Sequence, residues 1–236
     1  MNKIKRAIIM AAGNGKRLRP ITYTIPKPLI NVNGKKMIET IIEALHANDI
    51  YEIYIVVGYL KEKFDYLKNI NGITLIENPY FNECNNISSL FVARDYIEDA
   101  IILDGDQIIY NKDILFKNFD KSGYSAFWTE EDTKEWLLTV GDDNIISCSR
   151  TGGNKGWQLC SVSRWNKTDA QKLKKHIEIE FLEKNNKDIF WDDVALFCYP
   201  AEYDLKIYKI NKKDIIEIDN LDELKEIDDS YKEIEV

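Results

Sequence analysis

The chain has 236 residues, 44 % hydrophobic and 31 % charged, with a formal net charge of −8. That length can bury a sizeable core as one α/β domain, and the acidic balance excludes sequence-independent nucleic-acid binding, which needs a basic face. No apolar run approaches a membrane span and the first residues show no signal peptide, so we expect no membrane partner and a cytoplasmic location.

The first apolar run, Ala7-Ile8-Ile9-Met10, reads as a buried parallel strand. Directly after it come Ala11-Ala12-Gly13-Asn14-Gly15-Lys16-Arg17-Leu18 and, further on, Pro26-Lys27-Pro28. Gly13 and Gly15 let the backbone bend tightly, so that successive N–H groups can face phosphate oxygens. Arg17 adds a planar fork of donors and Lys27 a point charge from a separate segment. Position 18 is Leu18, so the dinucleotide fingerprint fails, and no Gly-Lys-Ser/Thr ending makes a Walker A loop. A nucleoside triphosphate is the ligand this chemistry suits.

Residues 36–48 have helical spacing, with Met37, Ile38, Ile41, Ile42 and Leu45 on one face. Strands at 52–57, 73–76 and 100–103 then alternate with helices at 60–69 and 88–98. This alternation predicts a doubly wound, mostly parallel sheet with right-handed crossovers. Ligands of such sheets lie beyond the carboxyl ends of the strands. Asp104-Gly105-Asp106 falls at that edge, and it is either an ordinary turn or part of a seat for a hard divalent cation.

The second half is less regular. Strand character appears at 125–128, 137–140, 145–149, 159–164, 205–210 and 215–218, with helices at 168–183 and 189–197 and an acidic helix at the end. Glu217 and Asp219 alternate onto one face of the last strand, although the whole tail is acidic. We expect one domain over 1–236, with a nucleotide-binding half (1–122) and an acceptor-binding lobe (123–236). Cys84, Cys148, Cys160 and Cys198 form no metal or redox pair, and free thiols suit a reducing compartment. Oligomeric state is not legible.

The opening motif resembles the A-A-G-x-G-x-R-[LM] and downstream P-K signature of nucleotidyltransferases that activate sugars and alcohols. Asn85-Asn86-Ile87-Ser88-Ser89-Leu90 is similar to the N-N-x-x-S-L segment of LicC-type bacterial CTP:phosphocholine cytidylyltransferases. Gly58-Tyr59-Leu60-Lys61-Glu62, Glu135-Trp136, Trp191-Asp192 and Glu217-Ile218-Asp219 extend that likeness along nearly the whole chain, whereas 151–156 looks longer than the family's loop. The resemblance implies a Rossmann-like nucleotidyltransferase fold with CTP as donor and a small phosphorylated amine as acceptor. It also implies Mg²⁺ on Asp106 and Asp219, and nucleotide contacts from Asn85 and Ser89 as well as Ala11–Arg17. Arg17 and Lys27 would act with those aspartates in catalysis.

A quaternary ammonium cannot donate an N–H hydrogen bond, so aromatic faces and carboxylates must recognise it. Glu135, Trp136, Phe190, Trp191 and Asp192 are the material for such a seat, unless the rings simply pack the core. Phosphoethanolamine, aminoethylphosphonate and sugar 1-phosphates remain alternative acceptors, and a non-catalytic nucleotide-binding domain an alternative role.

Overall fold

The computed structural model describes residues 1–234. Four parallel strands form its centre: β1 (Arg6–Ala11), β2 (Glu52–Val57), β3 (Ile73–Glu77) and β4 (Ala100–Asp104), in the spatial order β3-β2-β1-β4. β1 is apolar without alternation because both of its faces are covered. Ala7 and Ile9 pack with Ile38, Ile41 and Leu45 of α1 (Met37–Ala47). Ile8 and Met10 pack on the other face with Leu90 of α2 (Ile87–Ala93) and with Leu173 and Ile177 of α3 (Lys167–Glu178).

After β4 the chain forms a short strand that sequence reasoning missed, β5 (Gln107–Ile109). It then builds β6 (Gly123–Thr129), β7 (Leu137–Gly141), β8 (Asn144–Ser149), β9 (Gly156–Trp165) and β10 (Lys206–Lys209). β9 joins the halves into one nine-stranded sheet. Its end pairs antiparallel with β4, Val162 opposite Leu103 and Trp165 opposite Ala100, while its start pairs with β6 and β7. The first half is thus parallel, and the added lobe is built largely from antiparallel hairpins, which need no crossover helix.

Several helices are tighter or wider than their periodicity suggested. Residues Lys61–Asn69 form 3₁₀ turns, which place Phe64 and Leu67, three residues apart, on the same buried side. The helix expected at 168–183 is α-helical to Glu178 and then widens into a π turn, Ile179–Glu183. The segment at 189–197 is one α turn, α4 (Trp191–Asp193), followed by another π turn, Val194–Cys198.

The last strand, β11 (Ile215–Glu217), pairs antiparallel with β5, Glu217 opposite Gln107. The Ile218 N–H also donates to the Asp106 carbonyl at 3.3 Å. This pairing carries the end of the chain back to the carboxyl edge of the parallel sheet, and α5 (Leu221–Ile227) follows.

Candidate active site

The loop after β1 is held by its own backbone and by Tyr59. Gly15 lies in the left-handed region at φ 58°, and a Cβ there would come within 2.9 Å of Thr22 Cγ2, so only glycine fits. Thr22 Oγ1 donates to the Gly15 carbonyl (2.8 Å), and Tyr59 Oη donates to the Thr22 carbonyl (2.7 Å). Gly13 differs from the expectation of a second tight bend. It has no positive φ, and a Cβ on it would meet open space.

Beside this loop is a cleft of about 480 Å³, lined by residues 10–17 and by Lys27, Asp104, Asp106, Glu217 and Asp219. The Lys27 ammonium lies 2.6 Å from Asp106 Oδ2 and 2.9 Å from Asp219 Oδ1, with its side chain 10 % exposed. Burial pulls that ammonium down, but Asp106 and Asp219 outweigh it and hold the group above the usual lysine range. Arg17 donates to the same Asp219 oxygen at 2.6 Å from the open side. Four residues distant in sequence therefore meet at one point.

Glu217 completes a group that sequence reasoning left at two carboxylates. Oxygens of Asp106, Glu217 and Asp219 all lie within 4.8 Å of one another. The strand alternation that put Glu217 on the Asp219 face was the available signal. Among the described residues, Asp106 Oδ1 is buried without a hydrogen-bond partner. The surrounding protein, and then Asp106, Asp104 and Asp219, push the Glu217 carboxyl upward, although the residue reaches solvent through the cleft. Asp104, at the end of β4, is pushed up to about 7, by burial first and then by Asp106. So much acid around one lysine makes a seat for positive charge.

The Asn85–Ser89 segment forms the far wall. Ser89 accepts from Asn78 Nδ2 at 3.1 Å, and Asn85 spends its amide on the Asn86 N–H (2.7 Å) and the Asp188 carbonyl (3.0 Å). Both line the cleft. Asn86, part of the same motif but not expected to contact the nucleotide, also lines it, and its Oδ1 accepts from the Trp191 N–H at 2.9 Å.

The expected acceptor residues separate into three places. Trp191 is not available as a wall: it is 2 % exposed and packs against Tyr124 (6.1 Å) and Trp165 (6.0 Å). An indole on the inward face of a short helix is worth more as buried area than as a rim. Asp192 is buried with it, and its carboxyl is raised well above the usual range by burial, then by Asp104. Glu135 parts from its neighbour Trp136 and lines an adjoining cavity of about 230 Å³ with Gln107, Glu217 and Asp219. Partial burial, then Asp219, raises its carboxyl.

Trp136 and Phe190 do meet, edge to face at 5.7 Å. Phe190 lines the nucleotide cleft, and Phe197, which sequence reasoning missed, closes on Trp136 at 5.4 Å. The guanidinium of Arg150 lies over the Phe197 ring at 3.9 Å and 5.9 Å from the Trp136 ring centre. It also pairs with Asp193 Oδ1 at 2.5 Å. Trp157, in β9, pairs across the sheet with Trp128 of β6, the rings 5.5 Å apart.

The glycine turn after the first parallel strand thus brings two cations and a carboxylate cluster together at the sheet edge. The Nucleotidyl transferase family model matches residues 6–140, and the chain belongs to that family. Among full-length relatives, a 2-aminoethylphosphonate cytidylyltransferase of Lancefieldella rimae is 37 % identical, covering 95 % of this chain and 92 % of its own. A choline-phosphate cytidylyltransferase of Streptococcus pneumoniae is 33 % identical, covering 96 % and 98 %. The solved structure of the CTP:phosphocholine cytidylyltransferase from Streptococcus pneumoniae (LicC) aligns with a TM-score of 0.90 at 33 % identity, over 97 % of this chain and 99 % of that one. The protein is a nucleotidyltransferase. No helix among the described residues is long and apolar enough to cross a membrane.

Proposed function

We propose that the protein transfers CMP from CTP to phosphocholine, releasing pyrophosphate and giving CDP-choline, with Mg²⁺ as cofactor. The observation that carries this reading is the end-to-end likeness to the pneumococcal enzyme. The 4.8 Å carboxylate group and the unpartnered Asp106 oxygen suit a hard divalent cation, which Asp106, Asp219 and Glu217 would hold. Bound there, Mg²⁺ supplies neutralisation of the phosphates' charge.

The chain's own groups do the rest. Backbone N–H groups of residues 13–16 bind the β- and γ-phosphates, and Arg17 turns from Asp219 to the leaving pyrophosphate. Lys27, kept protonated by its two aspartates, offsets repulsion between the α-phosphate and the incoming anion. A phosphate oxygen of the acceptor attacks the α-phosphorus as the bond to the bridging β-phosphate oxygen breaks. The nucleophile is already an anion at neutral pH, so no general base is needed. Positioning and charge neutralisation supply the rate. Four unpaired cysteines support a reducing, cytoplasmic setting.

Aminoethylphosphonate is the second reading, favoured by the 37 % identical relative. Both acceptors carry an oxyanion at one end and a cationic amine at the other. The ring faces of Trp136, Phe190 and Phe197 favour the trimethylammonium group, which needs dispersion and quadrupole contacts rather than hydrogen-bond acceptors. Trp136→Leu keeps apolar volume but removes the ring, so KM for phosphocholine should rise about five- to thirty-fold, for a loss of about 1–2 kcal/mol. KM for CTP should change little. Steady-state kinetics with each substrate varied in turn checks this, and an unchanged phosphocholine KM would remove the cluster from the acceptor site.

A further inference from the structure

The aromatic group next to the cleft already holds a cation, and that cation belongs to the chain. Arg150 follows β8, in the turn that leads into β9. Its guanidinium lies 3.9 Å over Phe197 and 5.9 Å from Trp136, and its Nη2 reaches Asp193 Oδ1 at 2.5 Å. Asp193 is 4 % exposed in its side chain, whereas Arg150 is 47 % exposed. The other Asp193 oxygen accepts from the Phe190 N–H at 2.9 Å, and among the described residues Oδ1 has no partner apart from Arg150. The acid is thus a fixed part of the floor, and the cation over it is the removable part.

Aromatic walls with a buried carboxylate beneath them are the chemistry that recognises an organic ammonium ion. We propose that Arg150 is a resident competitor: it fills the acceptor's ammonium seat in the free protein and must leave before the acceptor's head group can enter. This rests on the reading of the acceptor as a phosphorylated amine. Its consequence is that Arg150 weakens acceptor binding instead of contributing to it, and so sets the acceptor concentration at which the enzyme works.

The turn supports a side chain that swings. Its fixed points are the Thr133–Gly153 backbone pair (2.9 and 3.0 Å) and the Ser149 hydroxyl bonding to the Gly152 carbonyl (3.3 Å). None of these passes through the Arg150 side chain. Arg150 is half exposed and regains water when it swings out, and the acceptor's ammonium then takes its place over the buried Asp193, so the acid is not left without a cation. Binding through a conformation in which the seat is free lowers apparent affinity by the fraction of molecules in that state.

Arg150→Ala and Arg150→Gln test the proposal, with Arg150→Lys as the variant that keeps a cation. In the first two, KM for phosphocholine should fall by about two- to five-fold, as expected for release of one weak ion pair. KM for CTP should stay within about two-fold, because the guanidinium touches no group of the triphosphate seat. Tetramethylammonium, a head group without a phosphate, should inhibit both variants at correspondingly lower concentration, and Arg150→Lys should stay closer to the wild type. A raised phosphocholine KM in both neutral variants would make Arg150 a binding residue and overturn the proposal. An unchanged KM together with unchanged tetramethylammonium inhibition would overturn it too. If the wild-type protein makes no CDP-choline but uses aminoethylphosphonate, the choline reading fails by itself. The same variants then decide the Arg150 proposal through the KM for aminoethylphosphonate.

Discussion

Asp106→Asn should lower turnover by about a thousand-fold or more while leaving the fold in place. The carboxylate lies 2.6 Å from Lys27 and within 4.8 Å of carboxylate oxygens of Glu217 and Asp219. As a proposed ligand of the divalent cation, Asp106 would carry part of a transition-state stabilisation of several kcal/mol, and each 1.4 kcal/mol or so is a factor of ten in rate. The substitution is close to isosteric, and it removes a charge that pushes the Asp104 carboxyl upward. Folded stability should therefore hold, with melting within a few degrees of wild type by circular dichroism. Turnover within ten-fold of wild type at saturating Mg²⁺ would take Asp106 out of the reaction.

Arg17→Ala and Lys27→Ala should each reduce kcat/KM by about a hundred-fold or more, the cost of removing one fixed donor from a developing anion. The two should differ in stability. Arg17 is 68 % exposed, so its loss should leave the melting temperature nearly unchanged. Lys27 bridges Asp106 and Asp219 from a side chain 10 % exposed. Removing it leaves two carboxylates facing each other without their shared cation, which is costly in a buried site. Lys27→Ala should melt clearly lower without divalent cation and recover part of the loss when Mg²⁺ is added. Full activity in both variants would mean that the loop after β1 is not a catalytic loop.

The parallel half of the fold was readable because its strands are short unbroken apolar runs and its helices carry clean apolar stripes, as in Ile8-Ile9 and Ile38-Ile41-Leu45. The convergence of Arg17, Lys27, Asp106 and Asp219 was readable as well, since each follows a strand end or a motif of known spacing. Glu217 was visible in the alternation but hidden by an acidic tail, whose composition does not separate ligands from solvated charge. The strand Gln107–Ile109 is too short to show a period, yet it is what docks the last strand against the cleft.

The acceptor side was the least readable part. Trp136 and Trp191 look alike in sequence, but one is half-buried against Phe190, which lines the cleft, and the other fills the core between Tyr124 and Trp165. Neighbours along the chain part company in the same way: Glu135 turns to the second cavity and Trp136 to the aromatic group. Phe197 and Arg150 reach that group from a π turn and a hairpin turn, where neither helical nor strand periodicity tells which way a side chain points. Only tertiary packing brings them together.

The pairing of donor and acceptor can be read from pyrophosphate release by purified protein with Mg²⁺. Each ribonucleoside triphosphate is to be combined with phosphocholine, phosphoethanolamine, aminoethylphosphonate and glucose 1-phosphate, and kcat/KM compared across all pairs. The highest value is expected for CTP with phosphocholine, with CDP-choline recovered as the product. A higher value for another triphosphate, or for CTP with any of the other three acceptors, would contradict that pairing.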